Sequence, residues 1–113
     1  MKAGSQKFGA FIRREREAKE IGLRVMAKMI GVSPTYLSKV ERDEFPSPAE
    51  DKVTAIAHIL GCDSDDLLAR AGRVPSEVTE AIKRRPVLGA LVRATTSTSD
   101  DEIRRLVKSL RKP

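Results

Sequence analysis

The chain has 113 residues and a formal charge of +6, with 4% aromatic residues, no Trp and one Cys, a size that suits one compact domain with an appendage, helped by docking or self-association. The lone Cys62 excludes a disulfide framework, no apolar run approaches the roughly 18 residues of a membrane span, and the opening MKAGSQKFG has no apolar signal core, so a soluble, cytoplasmic, all-α protein with an aliphatic core is expected. Residues 1–45 carry ten basic and six acidic groups, residues 46–75 three and five, and residues 76–113 nine and five; a basic front half fits a polyanionic partner.

Along the chain, Met1–Gly4 is expected to fray. A first helix is predicted from Gln6 to Lys19, with Ser5 as its N-cap and Phe8, Phe11, Ile12 and Ala18 on its buried stripe. Glu15 lies beside that stripe and can pair with Lys19 at i,i+4. Leu23, Met26, Ala27 and Ile30 recur at helical spacing and predict a second helix over Leu23–Ile30. Gly31 stops it; Ser33 and Pro34 then start a third helix, Pro34–Arg42, as N-cap and first helical residue. Leu37 and Val40 face back toward the second helix. Two short helices joined through a glycine turn make a helix-turn-helix, whose second helix can enter a DNA major groove.

The loop Arg42–Pro48 follows, with Phe45 either packed under it or exposed at a contact between copies. Ser47-Pro48-Ala49-Glu50 reads as a capping box with proline at the first helical position. Val53, Ile56, Ala57 and Leu60 form the fourth helix's core stripe, Gly61 ends it, and Cys62 reads as a small buried hydrophobe. Asp63–Asp66 caps a fifth helix, Asp65–Ala71, in which Leu67 and Leu68 close the core. After the break Gly72–Pro75, three short helices are predicted. They are Glu77–Arg84 behind a Ser76 cap, Val87–Ala94 behind Pro86, and one from Ser99 to about Arg111, with a polar linker at Thr95–Thr98. Their apolar stripes, such as Ile103, Leu106, Val107 and Leu110, must be covered by the front domain, a second subunit or another protein, and a homodimer is the preferred reading.

The segment MAKMIGVSPTYLSKVER, with FGAFIRRERE before it and AHILGCDSDDLL after it, resembles the XRE family, the Cro and phage-repressor-like DNA-binding proteins, over roughly Phe8–Gly72. The resemblance implies a five-helix lambda-repressor-like DNA-binding domain, assigned to residues 6–72, with a C-terminal helical extension at 73–113. It implies double-stranded DNA as partner, with Ser33, Pro34, Thr35 and Lys39 meeting base edges and Ser38 on the same outward face. Lys39 can donate to guanine O6 and N7, Thr35 can hydrogen-bond or touch a thymine methyl, and Pro34 reads by shape alone. Leu23 and Arg24 stand where the second helix meets the DNA backbone and its amides favour phosphate; Lys28 and Arg42 are further backbone candidates. Tyr36 either reaches a phosphate or packs against the second helix. Arg16 and Glu41 occupy the positions of a partly buried ion pair that ties the first helix to the recognition helix. Asp43 and Glu44 replace residues that are commonly Gly and Lys in the family, which weakens the loop's phosphate contact.

The function expected is a dimeric repressor reading a palindromic operator. The alternative is the antitoxin of a toxin–antitoxin pair that holds its toxin through the C-terminal helices; a controller of a restriction–modification system is a third, usually shorter, type. No catalytic residue, cofactor or metal ligand set is assigned. There is no Gly-rich phosphate loop, and His58 and Cys62 have no third partner at ligand spacing. RNA binding lacks its stacking aromatics, and a membrane-surface role lacks apolar-face Trp or Phe in the last helix.

Overall fold

The computed structural model describes residues 7–111, so the expectations for Met1–Gly4 and the Ser5 cap lie outside the described residues. Among the described residues there are eight α-helices and no strand: α1 Phe8–Ala18, α2 Leu23–Ile30, α3 Pro34–Glu41, α4 Glu50–Leu60, α5 Ser64–Arg70, α6 Ser76–Arg84, α7 Val87–Thr95 and α8 Asp100–Leu110. Their contacts fall into two units that divide between Pro75 and Ser76, with α1–α5 in the first and α6–α8 in the second.

The first unit is built on the aliphatic stripes. Ile12 of α1, Met26 and Ala27 of α2, Leu37 of α3, and Val53, Ile56 and Ala57 of α4 are fully shielded from solvent, and Leu67 and Leu68 of α5 close the core. Burying a Val, Leu, Ile or Met side chain stabilises by about 1.5–3 kcal/mol. The stripe of α1 is narrower than the spacing predicts. Phe8 and Ile12 are buried, Phe11 is half-buried at the edge of the core, and Ala18 is exposed. Phe11 keeps its outer face for cations: the Arg70 guanidinium lies 3.9 Å from its ring centroid. Glu15 pairs with its neighbour Arg14 at 4.0 Å rather than with Lys19.

One turn is used twice. After α2, Gly31 takes the left-handed conformation (φ 76°), Val32 N–H donates back to the Ala27 carbonyl at 2.9 Å, and the Ser33 hydroxyl accepts from Tyr36 N–H at 3.0 Å. After α4, Gly61 does the same (φ 71°), Cys62 N–H donates to the Ala57 carbonyl at 3.0 Å, and the Asp63 carboxylate accepts from Asp66 N–H at 3.0 Å. In each case glycine closes one helix without a Cβ penalty and an oxygen-bearing side chain starts the next two residues later. Lys52 of α4 donates its ammonium to the Ile30 carbonyl at 2.8 Å, placing a cation at the negative end of α2.

The capping box predicted at Ser47 does not form. Helix α4 begins at Glu50 with Ala49 as N-cap and no side-chain cap, while Pro48 is buried. The Ser47 hydroxyl instead donates to the Ala71 carbonyl at 3.3 Å, and Arg73 donates to the Ser47 carbonyl at 3.0 Å. The first bond satisfies the Ala71 carbonyl at the open end of α5, and Glu50 and Asp51 supply the negative charge that the start of α4 favours. Cys62 is half-buried rather than buried, and burial pushes its thiol pKa up.

The second unit has no buried residue in any of its helices. Helix α7 runs one residue into the predicted linker, to Thr95, whose hydroxyl donates to the Leu91 carbonyl at 2.8 Å within the last turn. Ser99 caps α8, accepting from Glu102 N–H at 3.2 Å, and its hydroxyl lies 3.2 Å from the Glu102 carboxylate. Val78, Ala81, Ile82, Leu88, Leu91 and Val92 of α6 and α7 line an apolar cleft of about 470 Å³. No helix among the described residues is long and apolar enough to cross a membrane.

Candidate nucleic-acid interface

Helix α3 divides cleanly into two faces. Leu37, Val40 and Glu41 are buried, while Ser33 and Thr35 are exposed and Pro34, Tyr36, Ser38 and Lys39 are partly exposed. The period of 3.6 residues that sends Leu37 and Val40 inward leaves Thr35, Ser38 and Lys39 on the accessible side. The helix starts rigidly, since Ser33 caps it and Pro34 has the backbone angle of a first helical residue.

A buried ion pair fixes the angle of α3 on α1. Arg16 Nε and Nη2 donate to the two Glu41 carboxylate oxygens at 2.7 and 2.8 Å, and Arg16 Nη1 donates to the Ile21 carbonyl at 2.8 Å. The two residues are 8% and 4% exposed. The hydrogen bond to Glu41 raises the Arg16 pKa, so the guanidinium stays charged despite its burial. A planar fork against a carboxylate holds direction as well as distance, so α3 cannot roll on α1 without breaking both bonds to Glu41, while the bond to Ile21 holds the guanidinium in place.

A second connection between α1 and α3 runs through the loop after α3. Helix α1 has no cap of its own at Lys7. The Asp43 carboxylate provides one, accepting from Gly9 N–H at 2.8 Å and from Ala10 N–H at 3.2 Å. Asp43 adopts a left-handed backbone (φ 59°) to do so. Gly9 is what permits the approach, because a Cβ there would stand 2.1 Å from the Val40 carbonyl oxygen and 2.7 Å from the Asp43 carboxylate. Beyond Asp43 the loop folds back on the last turn of α3: Glu44 N–H and Phe45 N–H both donate to the Lys39 carbonyl, at 2.9 and 3.3 Å. Phe45 is 41% exposed, its ring is 5.9 Å from that of Tyr36, and the Lys39 ammonium sits 5.3 Å from its centroid. Tyr36 thus packs partly on the core and partly on Phe45.

Helix α2 begins at Leu23 behind Gly22, with no side chain capping its first amides. Arg24 and Lys28 are exposed on it and Leu23 is half-buried. Beside this helix start lies a cleft of about 290 Å³ lined by Arg13, Arg16, Leu23, Ser38, Glu41 and Arg42. Arg42 is exposed and pairs with Glu44 at 3.4 Å. The first turns of α2 and α3 and the loop after α3 therefore present uncapped amides, hydroxyls and cations, a donor set suited to phosphates and base edges.

Sequence reasoning missed Gly9, Asp43 and Lys52. The signal for Gly9 was present, since an isolated glycine within a helical pattern calls for a packing reason. Asp43 had none beyond its tolerance of a left-handed backbone, because its partner lies 34 residues away.

The chain belongs to the helix-turn-helix domain family, which matches residues 7–71. Two relatives from strains of Mycobacterium tuberculosis, each described as an uncharacterized HTH-type transcriptional regulator, are 40% identical over 73 residues, 64% of this chain and 51% of theirs. The chain thus spans about half the length of the curated relatives it matches. Among solved structures it is similar to the P22 c2 repressor in complex with a synthetic operator, at 34% identity and a TM-score of 0.50, over 55% of this chain and 92% of that one. It is also similar to the clp gene regulator ClgR from Corynebacterium glutamicum, at 27% identity and a TM-score of 0.51, over 81% and 93%. The SinR/SinI protein complex, at 23% identity and a TM-score of 0.52, shares the fold over 92% and 94%.

Proposed function

We propose that the chain is a sequence-specific DNA-binding transcription regulator, a dimeric repressor that reads a palindromic operator with α3 in the major groove. The observation that carries this reading is the accessible row Ser33, Thr35, Ser38 and Lys39 on a helix whose inner side is anchored by the buried Arg16–Glu41 pair. Similarity to a repressor solved with its operator supports the same partner class. In this reading Ser33, Pro34, Thr35, Ser38 and Lys39 meet base edges, and Leu23, Arg24, Lys28, Tyr36 and Arg42 meet the backbone. Residues 6–72 bind DNA and residues 73–113 dimerise. The protein works in the cytoplasm without catalysis, cofactor or metal.

One module makes few base contacts, so two copies on half-sites about one helical turn apart are needed for specificity. Footprinting on the promoter adjacent to the gene tests the proposal; equal binding to that site and to scrambled duplex overturns it. Lys39→Ala should relax selection at one base pair by about 1–3 kcal/mol, read from binding to a panel of single-base operator variants.

A second reading rests on the exposed apolar cleft of α6 and α7. There the C-terminal helices hold a toxin, and the chain is an antitoxin that also represses its own operon. Toxicity of a neighbouring gene product expressed alone, relieved by co-expression of this chain, would select that reading.

A further inference from the structure

Lys39 is the longest donor on the accessible face of α3, and its reach is not free. Among the described residues its ammonium makes no ion pair. It rests instead over the Phe45 ring, 5.3 Å from the centroid, within the range in which a cation is held by an aromatic face. The ring is itself held. Phe45 N–H and Glu44 N–H are tied to the carbonyl of the same Lys39, Tyr36 flanks the ring at 5.9 Å, and Asp43 anchors the loop to the start of α1. A solvated lysine samples many rotamers, and ordering it at a base edge costs entropy. A ring that already restricts the ammonium lowers that cost for one direction of approach only.

We infer that Phe45 is a positioning residue for base reading: it touches no base edge itself, and it fixes where along the groove Lys39 places its ammonium. The inference rests on the proposed DNA-binding role. It assigns a selective role to a loop residue that would otherwise count as an exposed hydrophobe at 41% accessibility.

The test uses the full chain and a randomised duplex library, followed by binding to single-base variants of the selected site. Phe45→Leu removes the aromatic face and keeps the apolar bulk, Phe45→Ala removes both, and Phe45→Trp keeps a stronger face. Phe45→Leu and Phe45→Ala should each lower preference at the base pair that Lys39→Met relaxes, by about two- to five-fold, the range a surface cation–ring contact supports. Preference at other positions stays, Phe45→Trp keeps the wild-type pattern, and Phe45→Ala adds nothing in a Lys39→Met background. A uniform loss of affinity across positions, a wild-type pattern in Phe45→Leu, or additive effects of Phe45→Ala and Lys39→Met would overturn the inference. Should Phe45→Ala melt early, the contrast between Leu and Trp decides alone. A wild-type chain that selects no sequence overturns the DNA-binding reading itself; selection that Lys39→Met relaxes and Phe45→Leu leaves intact overturns only the role of Phe45.

Discussion

The two units of this chain are made of similar helices held in different ways. In α1–α5 every helix contributes buried side chains, and a charged pair is shielded among them. In α6–α8 the helices are nine to eleven residues long and bury nothing, with Val87 at 66% and Leu110 at 71% exposure. Helices of that length are marginal on their own, and most helical stability comes from packing an apolar face. The first unit therefore carries its own stability, whereas that of the second is tied to whatever covers its stripes.

The contrast is tested most severely at Glu41. Glu41→Ala leaves the Arg16 guanidinium buried without its carboxylate and should cost about 3–5 kcal/mol, seen as a collapse of the cooperative urea transition. Leu106→Ala in α8, at 40% exposure, should shift the same transition by no more than about 0.5 kcal/mol, as surface changes do. A large effect of Leu106→Ala in a monomeric sample would erase the difference between the units.

Gly9→Ala comes next. The added methyl meets a backbone carbonyl that has no rotamer to move away, so a loss of about 1–3 kcal/mol is expected by denaturant titration. Within the first unit the smallest effect belongs to Asp43. Asp43→Ala removes the cap of α1 and should cost about 0.5–2 kcal/mol, whereas Asp43→Asn keeps a side-chain oxygen and tolerance of the left-handed backbone and should lie nearer wild type in thermal melts.

The elements of the first unit could be read from the chain because their signals are local. The spacing of Leu23, Met26, Ala27 and Ile30 and the sequence Gly31-Val32-Ser33-Pro34 place two helices and the turn between them within a few residues of their observed bounds. The failures share a cause. Ser47 has the sequence of a cap, yet its hydroxyl turns to a carbonyl 24 residues away. Lys52 closes α2 from a distance of 22 residues, and Asp43 caps α1 from 34. Hydrogen bonds of that kind depend on how the helices pack, which no local pattern encodes. The position of Lys39 over Phe45 was hidden for the same reason, since it needs the left-handed step at Asp43 to bring the ring back along α3.

The repeated turn carries one more consequence. Backbone shape alone does not make a gene reader, because Leu60-Gly61-Cys62-Asp63 bends the main chain as Ile30-Gly31-Val32-Ser33 does and yet leads into Asp65 and Asp66. A duplex brought to that second corner would meet carboxylates and be pushed away. The molecule thus owns two copies of one mechanical joint, and the sign of the charge beyond each joint determines which of them a nucleic acid can approach.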